Sequence, residues 1–211
     1  MKSALFLDIG SQILANGAKA DYLLMAVNAS TGETIYFDTV DDFSLEHWIV
    51  FLSSILVRLA SKPQGIVHPA NPDIEKALDS VFKNVPRQIC INHFLSVLYR
   101  YIRSFSTCPL GYQSSEMRFH TAIRQLLRAN TLEDAREFCK SLRSRTEFSS
   151  AKLQNTLTWV EQRLPLLTTY LNVPGLPSKC CRQTRLNDEP IELLKVIPVK
   201  ESVSVLLLTQ N

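Results

Sequence analysis

A chain of 211 residues with 45% hydrophobic and 20% charged side chains can bury one sizeable core and is too apolar to be disordered. No apolar run approaches the roughly 18–20 residues that span a bilayer, and a net charge of +3 is too small by itself to announce a polyanion partner. Five cysteines without regular spacing exclude a disulfide framework; with no signal peptide in MKSALFLDIG, they point to reduced thiols and a cytoplasmic protein.

In chain order, residues 4–9 (ALFLDI) read as a buried strand ending in acid and turn residues. Residues 22–29 form a second strand, Ser30-Thr31-Gly32 a turn, and residues 33–40 an alternating hairpin partner. Ser44 is the predicted N-cap of a helix over 45–60, whose core face is Leu45, Trp48, Ile49, Leu52, Ile55, Leu56 and Leu59. Lys62-Pro63-Gln64-Gly65 stops it. A short strand at 65–68 leads past Pro72 into a helix at 73–82, with Ile74, Ala77, Leu78 and Val81 facing the core. A fifth strand at 87–91 enters a helix at 93–105. This order, two hairpin connections and then alternating helices, predicts a mixed five-stranded α/β sheet with strands 1, 4 and 5 parallel and the spatial order 3-2-1-4-5. That is the ribonuclease-H-like arrangement.

Residues 106–170 carry no strand pattern and read as an all-helical insertion, with helices near 115–129, 132–144 and 150–170 and a Thr131/Asp134 cap. The expected organisation is therefore a first core part (1–105), a helical insertion (106–170) and a return to the core (171–211). Residues 172–190 are rich in Pro and polar groups and read as loop, and the apolar run at 203–208 as a short strand or the remnant of a helix. Charge is divided unevenly. Residues 1–85 carry a balance of −4, whereas residues 86–211 carry +7, with 12 Arg among 17 basic residues. An Arg-rich half suits phosphate contact as well as a solvated helical surface.

Several segments resemble a known family. The first predicted strand ends in Asp8; Gly17 to Leu23 matches a "G-K-x-x-Y-L" hairpin, Ala26 to Glu33 an "A-V-D-x-x-T-G-E" segment and Glu46 to Leu52 an "E-x-W-x-x-F-L" helix. GIVHPANPDIEKALDSVFKNVPRQICINHF resembles a "V-V-T-D-G-N-P" block ending in a Cys-x-x-His pair, here Cys90 and His93. These are features of the catalytic core of Mutator-like and related bacterial insertion-sequence transposases, DDE enzymes of the ribonuclease-H-like superfamily. The resemblance implies Mg²⁺ (or Mn²⁺) as cofactor, double-stranded DNA at transposon ends as partner, and DNA transposition by strand cleavage and transfer. It also implies a DNA-binding region ahead of strand 1, and the first predicted strand here starts at residue 4. A decayed or truncated transposase is the expectation, with self-association as a homodimer among its candidate partners and no membrane.

The chemistry needs three acids, because two divalent metals about 3.5–4 Å apart must be held by hard oxygen ligands. Asp8 takes the first position. The alignment puts Pro69 at the second, where no side-chain donor exists; His68 alternates to the other face, and Asp73 is the nearest carboxylate that a rebuilt loop could bring in. Glu189, ahead of Asp188 and Glu192, is the candidate for the third acid, with Pro190 at a helix N-terminus, although Pro198 interrupts the helix expected after it. The metal ligands implied are thus Asp8 and Glu189, and the missing second acid predicts impaired catalysis. By resemblance, Cys90 and His93 lie beside the active centre as a phosphate or third-acid contact. A zinc half-site completed by Cys180 and Cys181, or a buried Cys with a capping His, remain open. His47 and His120 read as surface histidines, and Trp48 and Trp159 as packing residues.

Overall fold

In the computed structural model, which describes residues 5–16, 19–105 and 114–180, the first three strands form an antiparallel meander. These are β1 (Phe6–Asn16), β2 (Lys19–Asn28) and β3 (Thr34–Val40). The β2–β3 turn closes as Ser30-Thr31-Gly32 implies: the Gly32 amide donates to the Asn28 carbonyl at 2.7 Å, with Gly32 at φ 73°. β1 is longer than expected. It continues past Asp8 to Asn16 because its whole length pairs with β2, from Leu7 opposite Asn28 to Asn16 opposite Lys19. Cross-strand hydrogen bonds, not an apolar run, carry the second half of that strand.

On the other side of β1 the sheet is parallel. β4 (Gly65–His68) pairs with β1, and β5 (Arg87–Ile89) pairs with β4, completing a five-stranded sheet in the order β3-β2-β1-β4-β5. The connections are helical, as parallel neighbours require. α1 (Leu45–Arg58) is capped by the Ser44 side chain, and α2 (Pro72–Val81) by Asn71 with Pro72 in its first turn. Both pack on one face of the sheet, burying Trp48, Phe51, Leu52 and Ile55 of α1 and Ile74, Ala77 and Leu78 of α2 against Leu7, Ile9, Leu24 and Ile66. The α1 face is rotated from the expected one: Phe51 is fully buried while Leu56 is 37% exposed. Tyr36 stacks on Phe51 with ring centroids 5.4 Å apart, and that aromatic contact with β3 draws Phe51 inward.

α3 (Ile91–Phe105), α4 (Ser115–Leu126), α5 (Leu132–Arg143) and α6 (Ala151–Leu167) form a second helical body that meets the sheet at β5. Their apolar sides share one core that reaches β5, from Ile89, Phe94 and Leu98 to Phe119, Phe148, Leu157 and Leu164. The Thr131 cap forms as predicted, with its hydroxyl accepting from the Asp134 amide at 3.0 Å. The last helix ends earlier than expected, at Leu167, and a short 3₁₀ turn (Thr169–Leu171) follows. Gln88, fully buried on β5, joins this end of α6 to the sheet. Its amide nitrogen donates to the carbonyls of Ile89 (2.7 Å) and Leu167 (3.0 Å), and its oxygen accepts from the Tyr170 amide at 3.0 Å.

After the 3₁₀ turn the chain recrosses the sheet as an irregular strap. Gly175, at φ 86°, turns it where a β-carbon would stand 3.0 Å from the Phe6 ring, so a side chain is excluded both by the backbone and by the close pass. Leu176 then packs into a small cluster with Phe6, Val67, Cys90 and Cys180. The Ile91 amide donates to the Ser178 carbonyl at 3.1 Å, pinning the strap beside the start of α3. Among the described residues, no helix is long and apolar enough to cross a membrane.

Candidate functional site: a carboxylate among thiols

Strand alternation decides what meets at the centre of the sheet. Leu7 and Ile9 of β1 point into the α1/α2 core, so Asp8 between them points to the opposite face. It is 4% exposed there, not a surface acid. In the parallel register Asp8 stands beside Val67, whose side chain joins the strap cluster. β4 ends at His68, and the residue that follows it is Pro69. His68 falls on the face of Ile66. It is fully buried, with Nδ1 2.9 Å from the Pro69 carbonyl and Nε2 without a hydrogen-bond partner. Burial holds its pKa down at about 4, so the ring is neutral.

Asp8 meets the thiol of Cys180, which belongs to a cluster of two sulfurs and an imidazole. Cys90 follows β5 and directly precedes α3, which starts at Ile91 rather than at the expected 93, so His93 lies in its first turn. The strap delivers Cys180. Its amide donates to the Cys90 sulfur at 3.2 Å, and one donor atom from each of Cys90, His93 and Cys180 lies within 4.8 Å of the others. Cys90 and Cys180 are both buried free thiols, 1% and 6% exposed. A hydrogen bond from the Cys180 thiol, helped by His93 and the Cys180 amide, pulls the Cys90 thiol down to about 4 despite its burial. The Cys180 thiol is pushed the other way, first by Cys90, then by burial and by the Asp8 carboxylate, with which it hydrogen-bonds. Within the pair, negative charge is favoured on Cys90 over Cys180. His93 contributes to that balance, yet its enclosed Nδ1 meets no hydrogen-bond partner in good geometry.

This donor set does not fit a pair of hard divalent ions. Magnesium takes carboxylate, phosphate and water oxygens, and no metal-holding group of carboxylates among the described residues includes Asp8. Asp73 is not brought in. It sits in the first turn of α2, a helix of the opposite face, 3.5 Å from Lys76, with its amide bonded to the Asn71 cap. Glu189, Asp188, Glu192 and Cys181 lie outside the described residues, as does the apolar run at 203–208. Sequence reasoning named Cys180 only as a remote partner of Cys90 and missed its contact with Asp8. The available signal was Leu176 and Cys180, apolar residues in an otherwise polar, Pro-rich loop.

Beside this cluster runs a basic cleft. A groove of about 600 Å³ between α3 and α4 is lined in part by Tyr99, Arg100, His120 and Arg124. A second cavity of about 460 Å³ continues it toward the strap with Arg124, Arg128, Tyr170 and Lys179. Arg100, Arg124, Arg128 and Lys179 are exposed, and none makes an ion pair among the described residues. His120, expected at the surface, is 7% exposed and has Nε2 3.3 Å from the Leu95 carbonyl, because α4 packs directly on α3. His47 does lie at the surface, with Nδ1 2.8 Å from Asp42 and 3.0 Å from Ser44, an arrangement around the α1 cap. Trp48 is a core residue, and Trp159 stacks on Phe94 with ring centroids 4.9 Å apart.

No protein-family model and no curated protein sequence matches the chain. Among solved structures, a chain of the cryo-EM structure of the simian T-cell lymphotropic virus intasome in complex with PP2A regulatory subunit B56 gamma is similar to it at a TM-score of 0.35 and 16% identity. The match covers 50% of this chain and 43% of that one. A likeness this slight assigns nothing, and the ribonuclease-H-like description rests on the strand order itself.

Proposed function

We propose that this chain is a ribonuclease-H-like domain of DDE-transposase descent that binds double-stranded DNA and no longer cuts it. The observation that carries the reading is the contact of Asp8 with the Cys180 thiol, together with a proline at position 69, where the resemblance puts the second carboxylate that two-metal chemistry needs. Loss of one ligand from such a centre removes several kcal/mol of transition-state stabilisation, on the order of 10³-fold or more in rate. Binding is supported by the cleft of Arg100, Arg124, Arg128 and Lys179, which make no ion pair among the described residues, between α3, α4 and the strap. Guanidinium groups there can meet phosphate oxygens while Tyr99 and Tyr170 offer stacking surfaces.

The test has two arms. Supercoiled plasmid incubated with the purified chain and Mg²⁺ or Mn²⁺ is expected to stay intact. A gel shift with duplex DNA is expected to appear and to weaken steeply as salt rises, with a smaller salt slope in Arg124→Ala/Arg128→Ala. Metal-dependent nicking abolished by Asp8→Ala would reverse the catalytic half of the reading, and absence of any shift at low salt would reverse the binding half.

A further inference from the structure

We propose that Cys90, His93 and Cys180 form a binding site for a soft divalent cation, zinc, at the place where the resemblance leads one to expect hard-metal chemistry. The donor types are those zinc takes, two sulfurs and an imidazole, and magnesium does not. Their origin in the chain is that of a built site. Cys90 and His93 are three residues apart at the start of α3, which puts both on one side of its first turn. Cys180 arrives from ninety residues away and is held there by its own amide on the Cys90 sulfur.

The spacing is close to what the metal needs. With Zn–S near 2.3 Å and Zn–N near 2.0–2.1 Å, tetrahedral ligands stand about 3.6–3.8 Å apart. The three donors already lie within 4.8 Å of one another. A contraction of about 1 Å or less, within reach of rotamer adjustment, would close the set.

A second observation points the same way. The Nδ1 atom of the half-buried His93 is enclosed and has no hydrogen-bond partner, a state that is unfavourable for a ring nitrogen shut off from water. Closing a metal site around that ring would end its isolation, either by coordination at Nδ1 or by reorienting the ring. Binding is a proton exchange: the Cys90 and Cys180 sulfurs and the His93 imidazole take up Zn²⁺, two Zn–S bonds and one Zn–N bond form, and any proton these donors carry leaves to solvent. A fourth ligand, which water could supply, would complete a tetrahedral set. Asp8, beside Cys180, supplies a nearby carboxylate that can accept a hydrogen bond from that water and fix its orientation. Zinc also explains why a loop without regular structure is tied across the sheet, since the metal would staple it at Cys180 to the start of α3.

The inference stands whether or not the chain binds DNA, and it is tested without DNA. The full chain, purified under reducing conditions from zinc-supplemented growth, is expected to carry about one zinc per chain by elemental analysis. Stripped protein titrated with Co²⁺ is expected to develop sulfur-to-cobalt charge-transfer absorption and the intense visible bands of tetrahedral cobalt. Cys90→Ser, Cys180→Ser and His93→Gln should each weaken Co²⁺ binding more than about 100-fold, since losing even an outer partner of a ligand costs about 10–100-fold. Cys139→Ala, a buried thiol elsewhere in the helical core, should leave the titration unchanged. Circular dichroism of the stripped variants checks folding, and the spectrum of the unsubstituted chain decides the matter alone if a variant fails to fold. Absence of zinc together with absence of charge-transfer absorption overturns the proposal. So does a cobalt spectrum indifferent to Cys180→Ser, or isolation of a Cys90–Cys180 disulfide from reduced cells.

Discussion

The two faces of the central sheet are built by the same strands and differ in nearly every property. Toward α1 and α2, β1 offers Leu7 and Ile9, and β4 offers Ile66, to a dense hydrocarbon layer containing Trp48, Phe51 and Phe82. One residue along, the same two strands present Phe6, Asp8 and Val67 to a small cluster with two thiols and a recrossing loop. A period of two separates an inert core from a reactive one, with no change of element. The lesson is economical: stability and chemistry can be assigned to alternate residues of one strand, and each can change with little effect on the other.

The comparison breaks first at the hydrocarbon face. Phe51→Ala should lower unfolding free energy by about 3–5 kcal/mol in urea titration, while Co²⁺ binding by the surviving folded fraction is unchanged. An equal loss of both would mean that the faces are not separable. Next in size is an acid effect from His68. Its folded pKa of about 4 lies below the ordinary 6.5 because burial disfavours the charged ring. The unfolded chain therefore takes up the proton first. Stability from this group is complete above pH 6.5 and falls as pH drops toward 4, by up to about 3 kcal/mol. Urea midpoints across that window should flatten markedly in a folded His68→Gln variant, and an unchanged slope would discount the buried neutral ring.

Smaller effects sharpen the contrast. Asn71→Ala removes the side chain that accepts from the Asp73 and Ile74 amides and should destabilise α2 by about 1 kcal/mol, without altering the Cys90 side of the sheet. Val57→Lys, on the outer side of α1 where the side chain is 84% exposed, should change stability by less than about 0.5 kcal/mol. A larger loss there would show that α1 has a second buried side.

Most of the fold was legible from local chemistry. Ser44, Pro72 and Thr131 each mark a helix start that the structure keeps, since caps and a first-turn proline act within a few residues of themselves. The strand order followed from connection types, because a hairpin permits only antiparallel neighbours and a helical crossover only parallel ones. The extension of β1 to Asn16 was not legible: it depends on a partner strand, and nothing in GSQILAN declares it. Phe51 likewise turns inward for the sake of Tyr36 on another element.

The site divides in the same way. Cys90 and His93 could be paired from a spacing of three along the chain, and Asp8 from its strand. Cys180 could not be placed, because a partner ninety residues away is chosen by where the strap crosses, and that is set by Gly175, Leu176 and Ser178 meeting surfaces made earlier in the chain. The acid expected at Glu189 lies beyond the described residues, so its relation to Asp8 is not part of this geometry.

The buried amide of Gln88 has a consequence for how the molecule comes apart. It reaches across seventy-nine and eighty-two residues to close the end of α6 onto the sheet, with both ends of the amide used. Pulling the helical half away would strand two main-chain groups and a side-chain amide in a dry environment. Melting should then be a single event. The indole signals of Trp48 and Trp159, one in each half, ought to vanish at the same denaturant concentration, a coincidence that loss of the Gln88 amide would split.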